Sequence, residues 1–195
     1  MVRCDEGIQF KYPYFVDASK TAYAECIFLR SDSSMGSVTV TLLQARSRIT
    51  LMKTITIPRL ELTTANICAR LFSLKQALKF PKINTYFWTD SSIVLMRITS
   101  REQWSVFVTN RISEIRKLTT SEDWFHISTE YFNQNPTDIL SSGCGPKQLQ
   151  IHKWWQGPAW LKNSKEQWAK SAGYDFHTCI FFDNVSGYFT HQSPT

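Results

Sequence analysis

The order of its segments constrains this chain most. Three stretches rich in β-branched and aromatic residues come first, with only short connections between them: Phe10 to Val16, ending at Asp17, then Ala22 to Leu29, then Val38 to Leu43 and on towards Ile49. A turn rich in Ser, Asp and Gly, Arg30 to Gly36, separates the second from the third. Strands joined this tightly form an antiparallel meander. The period then changes. Pro58, favoured in a first helical turn, opens a segment in which Leu60, Ala65, Ile67, Leu71, Leu74 and Leu78 recur at helical spacing until Phe80-Pro81. Ile83 to Trp88 predicts a fourth strand, and Ser91 or Ser92 caps a short helix through Ile98. Phe107 to Leu118 predicts another helix and Trp124 to Ile127 a fifth, short strand. Asn135-Pro136-Thr137-Asp138 starts a last helix, stopped by Gly143. A meander followed by alternating helices and strands predicts an α/β fold with a mixed sheet carrying helices.

Composition narrows the class. The chain has 195 residues, enough for one domain or one domain with an appendage. With 43% hydrophobic and 14% aromatic residues it is too apolar to be disordered. No apolar run approaches the roughly 18–20 residues of a membrane helix, and the N-terminus lacks the apolar core of a secretory signal. The expected setting is intracellular, cytoplasmic or nuclear, with no membrane partner. The cysteines at 4, 26, 68, 144 and 179 are odd in number and contain no CxxC, which argues against a disulfide framework or a structural zinc site. His177, Cys179 and His191 come nearest to a metal cluster and read as ordinary tail residues.

The net charge of +6 is unevenly spread. From Ser33 to Thr89, Arg46, Arg48, Lys53, Arg59, Arg70, Lys75, Lys79 and Lys82 face a single acid, Glu61. Such a field attracts a polyanion. It also singles out Glu61, because a carboxylate alone in a basic stretch is either paired or employed.

Four acids fall at predicted element boundaries: Asp17 at the end of the first strand, Glu61 in the first turn of the long helix, Asp90 at the end of the fourth strand and Asp138 in the first turn of the last helix. Strand ends and helix starts are where α/β sites collect. Each acid alone has a plainer reading, as a turn or helix cap or as a charge favoured near a helix N-terminus. As a set they are hard oxygen donors suited to Mg²⁺ or Mn²⁺, and two such ions support phosphodiester hydrolysis.

The segments Phe15-Val16-Asp17-Ala18-Ser19, Ile57-Pro58-Arg59-Leu60-Glu61-Leu62, Trp88-Thr89-Asp90-Ser91-Ser92 and Asn135-Pro136-Thr137-Asp138 resemble the four motifs of the ribonuclease H domain of BEL/Pao-type retrotransposon polyproteins. Ser47-Arg48, Ile93-Val94-Leu95, Phe107 to Ile115, Trp124-Phe125-His126 and Trp154 to Leu161 fit the same pattern, so the resemblance covers about residues 12–162. It implies a ribonuclease H-like fold, a five-stranded mixed sheet of three antiparallel and then two parallel strands with flanking helices. It further implies cleavage of the RNA strand of RNA–DNA hybrids with two Mg²⁺ or Mn²⁺ ions. On that reading Asp17 bridges both ions, Glu61 and Asp90 hold one and orient water, and Asp138 completes the shell of the other. Ser19, Arg46, Arg48, Arg59, Ser91 and Ser92 are the candidate nucleic-acid contacts. His126 and the Trp154/Trp155 pair are expected to pack or hydrogen-bond within the domain.

The expected division is a domain over residues 1–162 and a poorly ordered extension over 163–195, cut from a polyprotein that also carries reverse transcriptase and integrase regions. Two other readings stay open. One is a catalytically degenerate remnant that only binds nucleic acid, prompted by a long His126 to Asp138 connection and by serines ahead of Gly143 where an Arg is expected. The other is a transposase or integrase core, which the aspartate at 138 disfavours.

Overall fold

A computed structural model describes residues 8–50, 55–77, 84–127, 135–151 and 154–168. Five strands form one sheet in the order β3-β2-β1-β4-β5. They are β1 (Gln9–Ala18), β2 (Ala22–Asp32), β3 (Val38–Ile49), β4 (Asn84–Thr89) and β5 (Trp124–His126). β1–β2 and β2–β3 pair antiparallel, and β1–β4 and β4–β5 pair parallel. The mixed five-stranded sheet expected from the sequence is present. The second strand runs three residues further than Leu29, to Asp32, so the predicted turn shrinks to its tip, where the Gly36 N–H donates to the Ser33 carbonyl.

One face of the sheet carries α1 (Ile57–Ala77), α2 (Ser92–Thr99) and α3 (Val106–Leu118). Tyr14, Val16, Ile27 and Phe87 from the strands meet Leu62, Ala65, Cys68 and Ala69 of α1, with Val94, Ile98, Ile112 and Ile115 behind. The buried stripe of α1 therefore steps through Leu62, Ala65, Ala69 and the partly buried Phe72. Ile67 and Leu71, predicted on the inner face, are only half-buried. The small side chains at 65, 68 and 69 let α1 come close to the sheet, and that decides which side turns inward. Leu74 and Leu78 fall outside the residues whose side chains are described.

The other face is covered by the C-terminal stretch. Phe15, Cys26, Phe28, Tyr86, Trp88 and Ile127 pack with Leu161 and Trp168, while Trp154 and Trp160 border them. Gly157 makes that approach possible. Its φ is +68°, and a Cβ there would stand 3.0 Å from Val40 Cγ1 and 3.1 Å from the Phe28 ring. The two neighbouring tryptophans part company: Trp154 Nε1 donates to the Pro136 carbonyl at 2.6 Å, whereas Trp155 is exposed. Packing reaches Trp168, which is buried six residues past the expected boundary at 162. Residues 169–195 lie outside the described ones, as do Cys4, Lys53, Lys79, Lys82, His152, His177, Cys179, His191 and the connection over 128–134. No helix among the described residues is long and apolar enough to cross a membrane.

Arg30 ties this second layer down. It is buried on β2, donates from Nε to the Leu161 carbonyl at 2.6 Å and from Nη2 to the Asn163 carbonyl at 3.1 Å, and pairs with Asp32. Its guanidinium lies 5.4 Å from the Trp168 ring centroid. Removing this buried cation leaves the Leu161 carbonyl unmet and takes one donor each from the Asn163 carbonyl, which keeps Trp168 Nε1, and from Asp32, which keeps Lys11. Arg30→Ala is expected to lower unfolding free energy by about 3 kcal/mol, read by urea titration, and to release Trp168, read as a red shift in tryptophan fluorescence. An unchanged midpoint would show that apolar packing alone holds the segment.

Candidate active site

β1 and β4 run parallel in register up to Val16 opposite Thr89. Asp17, still within β1, and Asp90, directly after β4, are the next residues on adjacent strands, at their carboxyl ends. Such strand ends are open because the chain must leave the sheet there. Glu61 comes from α1 and stands just past its first turn, not within it as the sequence suggested. Asp138 opens α4 (Asp138–Ser142) and is exposed.

Three of the four carboxyls lie close enough to perturb one another. Burial pushes the Asp90 carboxyl up to about 8, helped by the charge of Asp17, by a hydrogen bond with Asp17 and by the charge of Glu61. Asp17 is raised by burial, against the opposing pull of hydrogen bonds from Ser141 and Asp90, with the charge of Asp138 adding to the rise. Glu61 is raised by burial, offset in part by its bond from Ser91, while Asp17 pushes it up and Arg97 draws it down. The Asp17–Asp90 bond favours the ionised form of Asp17 and the protonated form of Asp90, so the two act as a coupled pair. Asp138 contributes its charge to Asp17 from α4, and its Oδ1 accepts a bond from Ser142 Oγ at 3.1 Å.

Neighbouring groups hold this set in place. Ser91 Oγ donates to Glu61 Oε2 at 2.6 Å and accepts from the Val94 N–H at 3.3 Å, which makes it both the N-cap of α2 and a tether for Glu61. Ser91, expected to contact nucleic acid, is thus buried and occupied, and Ser92 is half-buried beside it. His126 Nε2 donates to the Asp90 carbonyl at 3.0 Å, and burial lowers its pKa, so a neutral imidazole fixes the turn that carries Asp90. Ser19 points its hydroxyl at the Ser141 carbonyl. Arg46 and Arg48 are exposed on the edge strand β3, and Arg59 is exposed on α1 with its guanidinium 5.2 Å from the Phe107 ring centroid.

Three contributors escape a reading of the sequence. Ser141 is buried and donates to Asp17 Oδ2. Arg97 is buried on α2 with its guanidinium 5.4 Å from the Trp104 ring centroid, and its charge reaches Glu61. Glu25 is buried on β2 opposite Arg46, in a cleft with Tyr23, Arg48 and Thr64. Only the alternation of β2 offered a signal, since Glu25 falls on an inward position of that strand.

The donors suit a hard divalent cation: all are carboxylate oxygens, and Asp90 Oδ1 is buried with no hydrogen-bond partner. Among the described residues, however, no group of three or more His, Cys, Asp and Glu side chains stands in a metal-holding arrangement.

Residues 3–91 match the family model described as Pao retrotransposon-like RNaseH-like domain. That stretch contains Asp17, Glu61 and Asp90, and Asp138 lies beyond it. No curated protein matches the chain. Among solved structures it is similar to RNase H1 from the archaeon Halobacterium salinarum, at 12% identity and a TM-score of 0.34 over 62% of this chain and 86% of that one. It is also similar to LC11-RNase H1 in complex with an RNA/DNA hybrid, at 12% identity and a TM-score of 0.44 over 72% and 99%. Thermus thermophilus RuvC matches at 9% identity and a TM-score of 0.32 over 87% and 96%.

The raised carboxyls predict a pH dependence. Between the ordinary aspartate value of 3.8 and about 8 the folded chain keeps a proton on Asp90 that the unfolded chain has released. Stability in EDTA is therefore highest at the acid end of that window and falls as pH rises through it. The fall amounts to a few kcal/mol, since a tenfold change in proton affinity is worth about 1.4 kcal/mol. Thermal melts in EDTA from pH 5 to pH 9 are expected to show it, and Asp90→Asn is expected to flatten most of the slope. An equally steep slope in that variant would place the titrating group elsewhere.

Proposed function

We propose that this chain, with its match to a Pao retrotransposon-like RNaseH-like domain, is a divalent-metal-dependent nuclease that cleaves the RNA strand of RNA–DNA hybrids. The observation that carries the reading is the meeting of Asp17, Glu61 and Asp90 at the carboxyl ends of two parallel strands, where burial raises all three pKa values and the charge of a neighbouring carboxylate adds to each rise. A fold keeps such a cluster at a cost in stability, and clusters of this kind occur where charge is needed for chemistry or for binding a cation.

Asp17, Glu61, Asp90 and Asp138 would hold Mg²⁺ or Mn²⁺, two ions in the full site. Bound there, the ions would supply a Lewis acid for the scissile phosphate and an activated water. The protein's own contributions are positional. Ser91 fixes the Glu61 carboxylate, the His126 N–H fixes the backbone at Asp90, and Ser141 orients Asp17. Arg46 and Arg48 on β3 and Arg59 on α1 offer exposed guanidiniums for phosphates. Contacts of that kind sense the shape and the 2′-hydroxyls of a hybrid and leave base identity unread. The reading places the chain beside reverse transcriptase and integrase regions of a retroelement polyprotein.

A second reading, a domain that binds nucleic acid without cutting it, draws on the carboxylates falling short of a metal-holding arrangement. One experiment separates the two. Labelled hybrid is incubated with the protein in Mn²⁺ or Mg²⁺, beside Asp90→Asn. Cleavage confined to the RNA strand, abolished by EDTA and reduced to background in the variant, is the expected result. Binding without metal-dependent cutting would leave only the second reading. In the same binding assay Arg46→Ala and Arg48→Ala are each expected to lower the slope of log affinity against log salt by about one. An unchanged slope would remove β3 from the interface.

A further inference from the structure

α4 is only five residues long, yet it carries Asp138. A helix this short does not hold itself together. Its inward side is also thin, with Ser141 its one buried residue. What fixes it is polar. The Gly143 N–H takes the Ile139 carbonyl at 3.1 Å, which leaves the carbonyls of Leu140, Ser141 and Ser142 without intrahelical partners. The first two are met by side-chain hydroxyls from elsewhere on the sheet. Ser47 Oγ on β3 donates to the Leu140 carbonyl at 3.0 Å. Ser19 Oγ, at the β1–β2 turn, donates to the Ser141 carbonyl at 2.7 Å, with Thr21 Oγ1 at 3.4 Å from the same oxygen. From within the helix, Ser141 Oγ reaches Asp17 Oδ2. On the entry side Asn135 Nδ2 donates to the Val16 carbonyl at 3.3 Å, and Asn135 Oδ1 accepts from the Thr137 N–H at 3.1 Å.

We propose that Ser19, Ser47 and Ser141 are positioning residues whose hydroxyls set α4, and with it Asp138, against Asp17. The inference rests on the proposed nuclease reading for its consequence and on the hydrogen bonds for its geometry. Ser19 then acts through α4 and not as a contact to nucleic acid. Two of the three hydroxyls clasp the C-terminal end of α4, one from β3 and one from the β1–β2 turn, so the helix end is held at two separate points. Asp17, Glu61 and Asp90 sit on the sheet and on α1, and none of them bonds to Ser19 or Ser47, the two residues that hold the end of α4. Loosening the clasp therefore affects the ion that needs Asp138 and spares the other.

The test uses the full chain with Ser19→Ala and Ser47→Ala combined, Ser19→Thr with Ser47→Thr as the conservative rescue, and Asp138→Asn as the reference. Two readouts are taken. The first is Mn²⁺ binding by calorimetry. The double alanine variant is expected to weaken one ion by about 10–100-fold, the same ion that Asp138→Asn weakens, and to leave the other ion, the thermal midpoint and the affinity for hybrid in Ca²⁺ unchanged. The threonine pair is expected to restore wild-type binding. The second readout is amide exchange over 139–143 in EDTA, expected to quicken at least about tenfold in the alanine variant and to recover with threonine. Unaltered exchange overturns the clasp whatever the metal does. Quickened exchange with both ions bound as in the wild type overturns the link to Asp138. A loss of hybrid affinity with Mn²⁺ binding intact would return Ser19 to the nucleic-acid interface and also overturn the proposal. A wild-type chain that binds no Mn²⁺ would count against the nuclease reading, and the exchange measurement would still decide the clasp.

Discussion

The parallel pairing of β1 with β4 is the constraint on which the rest of the structure depends. Because Val16 and Thr89 are in register, the next residue on each strand is an aspartate, and the sheet itself sets two carboxyls side by side. Nothing in either strand alone requires this. Packing on both faces enforces it, with Tyr14, Val16 and Phe87 on one side and Phe15 and Trp88 on the other. A slip of one residue would exchange those two sets between layers, so the apolar pattern locks the register. The carboxyls are therefore held together by hydrophobic burial a few residues away, and their repulsion is tolerated because separating them would unpair the core.

Burial also explains the chemistry of the cluster. Asp17 is buried with the Ser141 hydroxyl of α4 on its Oδ2, and Asp90 is half-buried beside it, so water cannot fully solvate either. Desolvation is the leading cause of the rise in Asp17, Glu61 and Asp90 alike.

The sheet was legible in the sequence because its strands are continuous runs of β-branched and aromatic residues with turn residues between them, and the element order dictated their pairing. Asp17 and Asp90 were legible for the same reason, as strand-terminal acids. The inner face of α1 was harder to read, because Ala65, Cys68 and Ala69 make it by being small, and a search for large apolar residues points at Ile67 and Leu71 instead. The partners of Ser19, Ser47 and Ser141 could not be read, and of the bonds of Ser91 only its cap on the short helix was legible. A serine near an acid fits a substrate contact, a helix cap or a brace equally well, and only the tertiary arrangement shows that Ser91 also tethers Glu61 while Ser19 braces α4. The extent of the C-terminal layer was hidden similarly, since one tryptophan among polar residues has no period to betray its burial.

The charge distribution gains a direction from the fold. Arg46 and Arg48 lie on β3, two strands away from Asp17, and the intervening β2 carries the buried Glu25 opposite Arg46. The sheet edge is thus positive at its rim and increasingly acidic towards its centre. A polyanion approaching such a surface meets attraction first and repulsion last, and the repulsion ends only where cations neutralise the carboxylates. Binding of nucleic acid and binding of a divalent ion at the strand ends would then reinforce one another, because each relieves the charge that opposes the other. The lone acid of the basic stretch, Glu61, belongs to this acidic centre by tertiary contact with Ser91, although its neighbours in sequence are all basic or neutral.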